Sequence, residues 1–301
     1  MKKLLFVLLP TILISTPGLA EVLGKNNNKT NNNELVWAGC GITKHAFMTE
    51  LAKAYEKKTG IKIKLQGGGA TKGIRDAASG EIDIGGACRA TIDGLPDERD
   101  AYQIPVAWDA LVVIVNKANP VNNITFDQLK GIYLGKITNW RQVGGPDAPL
   151  ELYYRAGKQS GVGRTLRELV FANFDQEFHG KHMMKSTGPL EEGVEKNIYG
   201  IGTTGVSSAR RRDVKILSLE GKAPSYEHIK SGDYMLYRPL YLVTMRGSND
   251  KRVKDFVTFA LTREGREIIK KAGTVPYADA IQLVMKQVEQ YERAAMRGLY
   301  R

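Results

Sequence analysis

The sequence predicts an α/β protein of two lobes, each a mixed, mostly parallel sheet flanked by helices, joined by a two-strand hinge. Three observations carry this. From residue 34 onward, short apolar runs alternate with helical periods, the pattern of βα units with right-handed crossovers. The chain has 301 residues, room for two lobes of ordinary size. Two β-rich runs, Val106 to Asn116 and Tyr237 to Met245, are placed to cross between lobes.

The elements follow in order. Lys2 and Lys3, the apolar run Leu4 to Ile14 and the small residues Gly18 and Ala20 read as an export signal over 1–20. Residues 21–33 contain KNNNKTNNN, which cannot bury apolar surface and reads as a disordered tether. Lobe 1 is expected over 34–110 plus 241–301, and lobe 2 over 111–240. Leu35 to Ala38 reads as a strand. Phe47, Leu51, Ala54 and Tyr55 recur with helical period over 46–59, and Gly60 ends that helix. Ile61 to Leu65 alternates as a strand does, and a triple glycine leads to a helix over 71–79. Ile82 to Ile84 is the third strand, and Val106 to Asn116 the long one. Further on, the periods predict a helix over 126–132, a strand over 150–154 and a helix over 163–174. After the strand Tyr237 to Met245, three helices are expected over 251–261, 263–272 and 281–297.

The export signal points to a soluble periplasmic protein, in which disulfides are permitted. The formal net charge is +12, of which Lys2 and Lys3 supply two. A basic field attracts anions, while export disfavours nucleic acid as the partner. Arg210-Arg211-Arg212, followed by Asp213, reads as a solvated turn. No HExxH, nucleophile elbow or P-loop is present, and Asp76 and Asp83 form no acid/base pair. Catalysis, cofactor and metal are therefore not expected. His45 reads as a surface histidine, and His179 and His182 lack a further metal ligand nearby in sequence.

Two glycine-rich turns stand between a strand and a helix: Gly67-Gly68-Gly69-Ala70-Thr71 and Gly157-Lys158-Gln159-Ser160-Gly161-Val162. Glycine lets backbone approach a ligand, and a helix N-terminus offers unpaired N–H groups to an anion. Arg155 precedes the second turn. One such turn in each lobe suits an anion clamped between lobes. The two cysteines, Cys40 and Cys88, each close a strand and open a loop. In an open α/β sheet that is where ligands bind. A disulfide, a free thiol pair facing the cleft and two buried, inert thiols are the readings they leave open; thiolates at helix N-termini have lowered pKa values and bind soft species.

Several stretches resemble the phosphate-binding family of periplasmic solute-binding proteins, the receptors of ABC importers. They are LAKAYEKKTGIKIKLQGGG (Leu51 to Gly69), GEIDIGGACRA (Gly80 to Ala90), DALVVIVNKANPV (Asp109 to Val121), LKGIYLGKITNWRQVGGPDAP (Leu129 to Pro149), YRAGKQSGVGR (Tyr154 to Arg164) and the RPLYLVT run ending at Thr244. The resemblance implies the two-lobed periplasmic binding protein fold, closing on a small phosphate-like oxyanion for a membrane permease, with a monomeric receptor. It implies a lining of Cys40, Gly41, Thr43, Gly69, Ala70, Thr71, Cys88, Arg89, Arg155, Ser160, Gly161 and Val162. The family's hydroxyls are replaced at Ile42, Ala70 and Val162, so donors must come from backbone N–H groups, Arg89 and Arg155. The alternative expectation is a sensor, presenting a thiophilic oxyanion such as arsenite, or a redox state, to a sensor kinase through Cys40 and Cys88.

Overall fold

The computed structural model describes residues 33–155 and 157–294. The export signal and nearly all of the asparagine-rich stretch lie outside the described residues. The strands are β1 (Glu34–Gly39), β2 (Lys62–Gln66), β3 (Ile84–Ala87), β4 (Ala101–Asn116), β5 (Asn123–Ile124), β6 (Glu151–Tyr154), β7 (His182–Met183), β8 (Gly200–Gly205), β9 (Val214–Ile216), β10 (Ser218–Leu219), β11 (Tyr237–Met245) and β12 (Val275–Pro276).

Among the described residues one long sheet runs in the order β2-β1-β3-β11-β4-β8-β6-β7, with β9 and β12 also pairing with β4. Its flanks are parallel: β1 with β2 and β3, and β6 with β7 and β8. Around β4 and β11 the pairing is antiparallel. β4 belongs to both halves of the sheet. Its residues Ala101 to Ala110 pair with β11, and Leu111 to Val115 pair with β8. Val106 to Val115 are all buried, which is why this run is almost wholly apolar. Where the partner changes, Leu111 N–H donates to the carbonyl of Leu236, just before β11. Both hinge strands therefore pass one point.

Trp37, Trp108 and Trp140 are fully buried. Trp108 stacks on Tyr277 at 4.8 Å and meets Tyr237 edge-on at 5.9 Å. The C-terminal helix Gln282–Ala294 closes over the hinge. Gln290 Nε2 donates to the carbonyls of Met235 and Tyr237, and Lys286 to that of Ser231.

Two helices start earlier than their apolar period predicts. The first runs from an α-turn, Gly41–Thr43, through a π-helical stretch, Lys44–Met48, into Thr49–Thr59. The second runs from Gly161–Leu166 into a π-helical stretch, Arg167–Phe171, where Ala172 (φ 47°) ends it short of residue 174. Both openings are Gly-rich and cap-driven, so apolar periodicity does not register them. π-Helical stretches of this kind concentrate at functional sites. The helix Thr187–Lys196 and β8 carry no sequence signal either. Pro189 and two glycines depress helix propensity in the first. β8 reads GIGTTG yet is buried throughout, filled by small residues. No helix among the described residues is long and apolar enough to cross a membrane.

Candidate anion-binding cleft

A cavity of about 630 Å³ lies between the two halves of the sheet. Four helix starts border it. Cys40 caps the first helix, its sulfur accepting from Thr43 N–H at 3.4 Å. Gly69 opens the helix Gly69–Ser79 after Gly68 (φ 132°). Ser160 caps Gly161–Leu166, its hydroxyl accepting from Gly163 N–H at 3.2 Å. Lys185, Ser186, Thr187 and Gly188 bring the start of Thr187–Lys196 to the same cavity. Each N-terminus carries unpaired N–H groups and a partial positive charge. Convergence of four such ends favours an anion.

Side chains reinforce the sign. Arg155, Lys185, Arg211, Arg212 and His45 line the cavity, against one acid among the described lining residues, Glu191. Glu191 is spoken for: it accepts from Thr204 Oγ1 and from Arg212 Nε. Arg155 Nη1 donates to Thr187 Oγ1 at 3.3 Å, while its buried Nε has no hydrogen-bond partner. Burial lowers the Arg155 pKa from its ordinary value, and the sulfurs of Cys88 and Cys40 push the other way. Burial lowers the His45 pKa too, aided by the charges of Arg211, Lys44 and Arg212.

Of the residues expected from sequence, Cys40, Gly41, Gly69, Ala70, Thr71, Cys88, Arg155, Ser160, Gly161 and Val162 border this cavity. Thr43 and Arg89 do not. Thr43 is fully buried beside Cys40 and donates to the Cys40 carbonyl at 2.9 Å. Arg89 faces away from the cavity: its guanidinium forks onto buried Glu98 at 2.8 and 2.6 Å, and Nε donates to the Gln159 carbonyl at 2.7 Å. Its two remaining N–H groups go to the Ala90 carbonyl and Thr71 Oγ1, so no donor is left for an anion, and Arg89 bridges the two halves of the sheet instead of lining the cavity. Thr71 Oγ1 also donates to the Gln159 carbonyl, and Arg75 to the Gln159 side chain. Gln159 thus ties the second half of the sheet to the first. The Ser160 hydroxyl is spent within its own turn, donating to Gly157 O.

The arginine run is corrected in part. Arg210 and Arg211 are exposed as expected, but Arg211 and Arg212 face the cleft. His45 also leans into it rather than outward. At the fourth helix start Ser186 stands at the N-cap position without a side-chain capping bond, and Pro189 lies within the first turn, which is why the sequence reading missed it. His182 pairs with Glu151 and stacks on Tyr153.

Cys40 and Cys88 are buried and not bonded to each other. β1 and β3 pair with Gly39 opposite Gly86, and Cys40 N–H donates to Gly86 O. By that register Cys40 falls opposite Ala87 and Cys88 one residue beyond, so the two thiols stand at the ends of neighbouring strands. Burial opposes ionisation of Cys40. Hydrogen bonds from Cys88 and Thr43 and the charge of Arg238 outweigh it and bring its pKa down to about 7. The same shared bond, and then burial, push Cys88 well above the ordinary thiol range. Beneath the pair, Arg238 Nη1 donates to the Cys88 carbonyl at 3.0 Å, and Nη2 meets Asp109 at 3.4 Å. Asp109 in turn accepts from Ser207, so a buried ionic network joins the thiols to the hinge strands.

Comparison with known proteins agrees with this geometry. A family model described as a PBP superfamily domain matches residues 32–264. The phosphate-binding protein PstS of Borreliella burgdorferi is 27% identical over 264 residues, covering 85% of this chain and 94% of its own. Protein SphX of Synechococcus elongatus is 29% identical, covering 88% and 84%. Among solved structures, an ABC transporter substrate-binding protein from Clostridium perfringens with bound phosphate superposes with a TM-score of 0.74 at 27% identity, over 81% of this chain and 99% of that one. An ABC-type phosphate transport receptor from Vibrio cholerae does so with 0.62 at 26% identity, over 80% and 99%.

Proposed function

The chain belongs to the PBP superfamily, and from that premise we propose that it is a periplasmic receptor that captures a phosphate-like oxyanion between its lobes and delivers it to an ABC importer. The single observation that carries this is the convergence of four helix starts and Arg155, with its unpartnered Nε, on one cavity. Relatives named for phosphate binding, and the phosphate-bound structural neighbour, support it.

In this reading the lobes are 34–110 plus 241–301 and 111–240, hinged where β4 exchanges β11 for β8. The anion is held by N–H groups around Gly41, Gly69, Ala70, Gly161 and Val162, by Arg155, and by hydroxyls of Thr187, Ser186 and Ser208. These second-lobe hydroxyls compensate for Ala70 and Val162. The receptor acts as a monomer, binds without chemical turnover and meets its permease in the periplasm.

Isothermal titration of the reduced mature chain with inorganic phosphate tests the reading. A one-to-one isotherm, weakened by Arg155→Ala, is expected. A flat titration would overturn it.

A further inference from the structure

The floor of the cleft carries two thiols that the capture of a tetrahedral anion leaves unused. Cys40 and Cys88 are both free, both buried and both border the cavity. They follow adjacent parallel strands at the same end of the sheet, Cys88 one position beyond the residue that falls opposite Cys40. We propose that Cys40 and Cys88 together form a dithiol site for a trivalent thiophilic oxyacid, of which arsenite is the simplest. The proposal rests on this cleft being the ligand site, as in the reading above, but not on phosphate being its ligand.

Three features point to this ligand class. First, two thiols at neighbouring strand ends on one cavity can chelate one soft atom, which a lone thiol cannot. Second, the surrounding charge is positive, from Arg155, Lys185, Arg211 and Arg212 above and Arg238 below. That field opposes a soft metal cation and tolerates an uncharged oxyacid, while the unpartnered Arg155 Nε offers a donor to its remaining hydroxyl. Third, the opposite wall is built around the sulfur. A Cβ at Gly161 would stand 2.3 Å from Cys88 Sγ, so only glycine there leaves room for the sulfur.

The chemistry balances without an oxidant or reductant. Each thiol displaces one hydroxyl from arsenic: an S–As bond forms, an As–O bond breaks, and the thiol proton leaves with the hydroxyl as water. Two waters are released, and arsenic stays trivalent with two sulfurs and one hydroxyl. Cys40, whose sulfur accepts from Thr43 N–H at the start of a helix, is the thiol placed to attack first.

The test is native mass spectrometry of the reduced mature chain with sodium arsenite, alongside Cys40→Ser and Cys88→Ser. The expected result is one arsenic per chain, with the mass of arsenous acid less two waters, lost in either variant and lost after diamide oxidation. No adduct on the reduced wild type, or an adduct retained by either variant, would overturn the proposal. Should a serine variant fail to fold, alkylation of the wild type by iodoacetamide substitutes: arsenite must protect Cys40, and equal rates with and without it overturn the idea. Phosphate titration of the same wild-type sample separates the two claims. Arsenite binding without phosphate binding overturns the function proposed above and keeps this site; phosphate binding without arsenite does the reverse.

Discussion

Arg89 reaches from the end of β3 to the main-chain carbonyl of Gln159, 2.7 Å away, in the opposite half of the sheet. Its other nitrogens grip Glu98, which is buried and accepts the Ile92 N–H as well. One side chain therefore neutralises a buried carboxylate and bridges the two halves of the sheet, the arrangement of a latch across the cleft. Removing one partner of a buried ion pair costs about 3–5 kcal/mol, because the other charge is stranded. Arg89→Ala should lose that much in denaturant unfolding, and small-angle scattering of the ligand-free chain should show a larger radius of gyration. Unchanged stability and radius would refute the latch.

Glu98 gives the latch a pH limit. Burial raises its pKa, but the Arg89 hydrogen bonds and charge, the Ile92 N–H and Arg75 outweigh this and hold it below the ordinary carboxylate value. A carboxyl depressed on folding contributes stability that is complete above its unfolded pKa and is lost as pH falls through its folded pKa. Acid unfolding monitored below about pH 4.3 should therefore be less steep in Glu98→Gln than in the wild type. Parallel curves would show that Glu98 contributes nothing to acid sensitivity.

His45 works in the same direction at higher pH. Its pKa is lowered by burial and by Arg211, Lys44 and Arg212. Below about pH 6.5 the unfolded chain takes up a proton that the folded chain refuses, so stability falls as pH falls through that window. Thermal melting from neutral pH downward should show a decline that His45→Gln reduces. An anion in the cleft should soften the decline too, since it offsets the arginine charges.

Arg155 tests the anion site most directly. Charged hydrogen bonds contribute about 1.5–3 kcal/mol, so Arg155→Ala should weaken phosphate binding roughly ten- to hundred-fold. The melting temperature without ligand should barely move, because the half-buried guanidinium makes one internal hydrogen bond, to Thr187. Arg155→Lys should recover part of the affinity, keeping the charge without the fork.

How far the sequence foretold this depends on the kind of signal each element carries. Tyr237–Met245 and Lys251–Leu261 were legible to the residue, because apolar patterning alone defines them. The pairing of β1 with β3 followed from the fold that the family resemblance implies, and with it the placing of Cys40 and Cys88 at neighbouring strand ends. The fourth helix start was not legible: Thr187–Lys196 opens without a side-chain cap bond and holds a proline and two glycines, and its neighbour β8 is built on glycine and threonine. Arg89 was misassigned for a different reason. Its position at a strand end suits a ligand, but the partner that claims it, Glu98, lies on a 3₁₀ turn nine residues on and offers no pattern. Local sequence shows where a charge sits; only the fold shows which opposite charge reaches it first.

Gly161 and Cys88 couple closure to the thiols in a way that can be separated genetically. A methyl group at Gly161 would meet Cys88 Sγ at 2.3 Å and the Ala70 side chain at 3.2 Å. The first contact is impossible as it stands, and the second requires only a small shift. Gly161→Ala should therefore destabilise the closed form, with overpacking costing about 1–3 kcal/mol, and weaken ligand binding by the corresponding factor. Cys88→Ala removes the sulfur and should restore much of that loss in the double variant, giving a coupling energy well outside the additivity of distant sites. The φ at Gly161 lies outside the left-handed region, so backbone strain does not compete as a cause. Phosphate affinities for the wild type, both single variants and the double variant complete the cycle. Additive effects would mean that Gly161 does not close against Cys88, and the tight contact between the two halves would then have no part in binding.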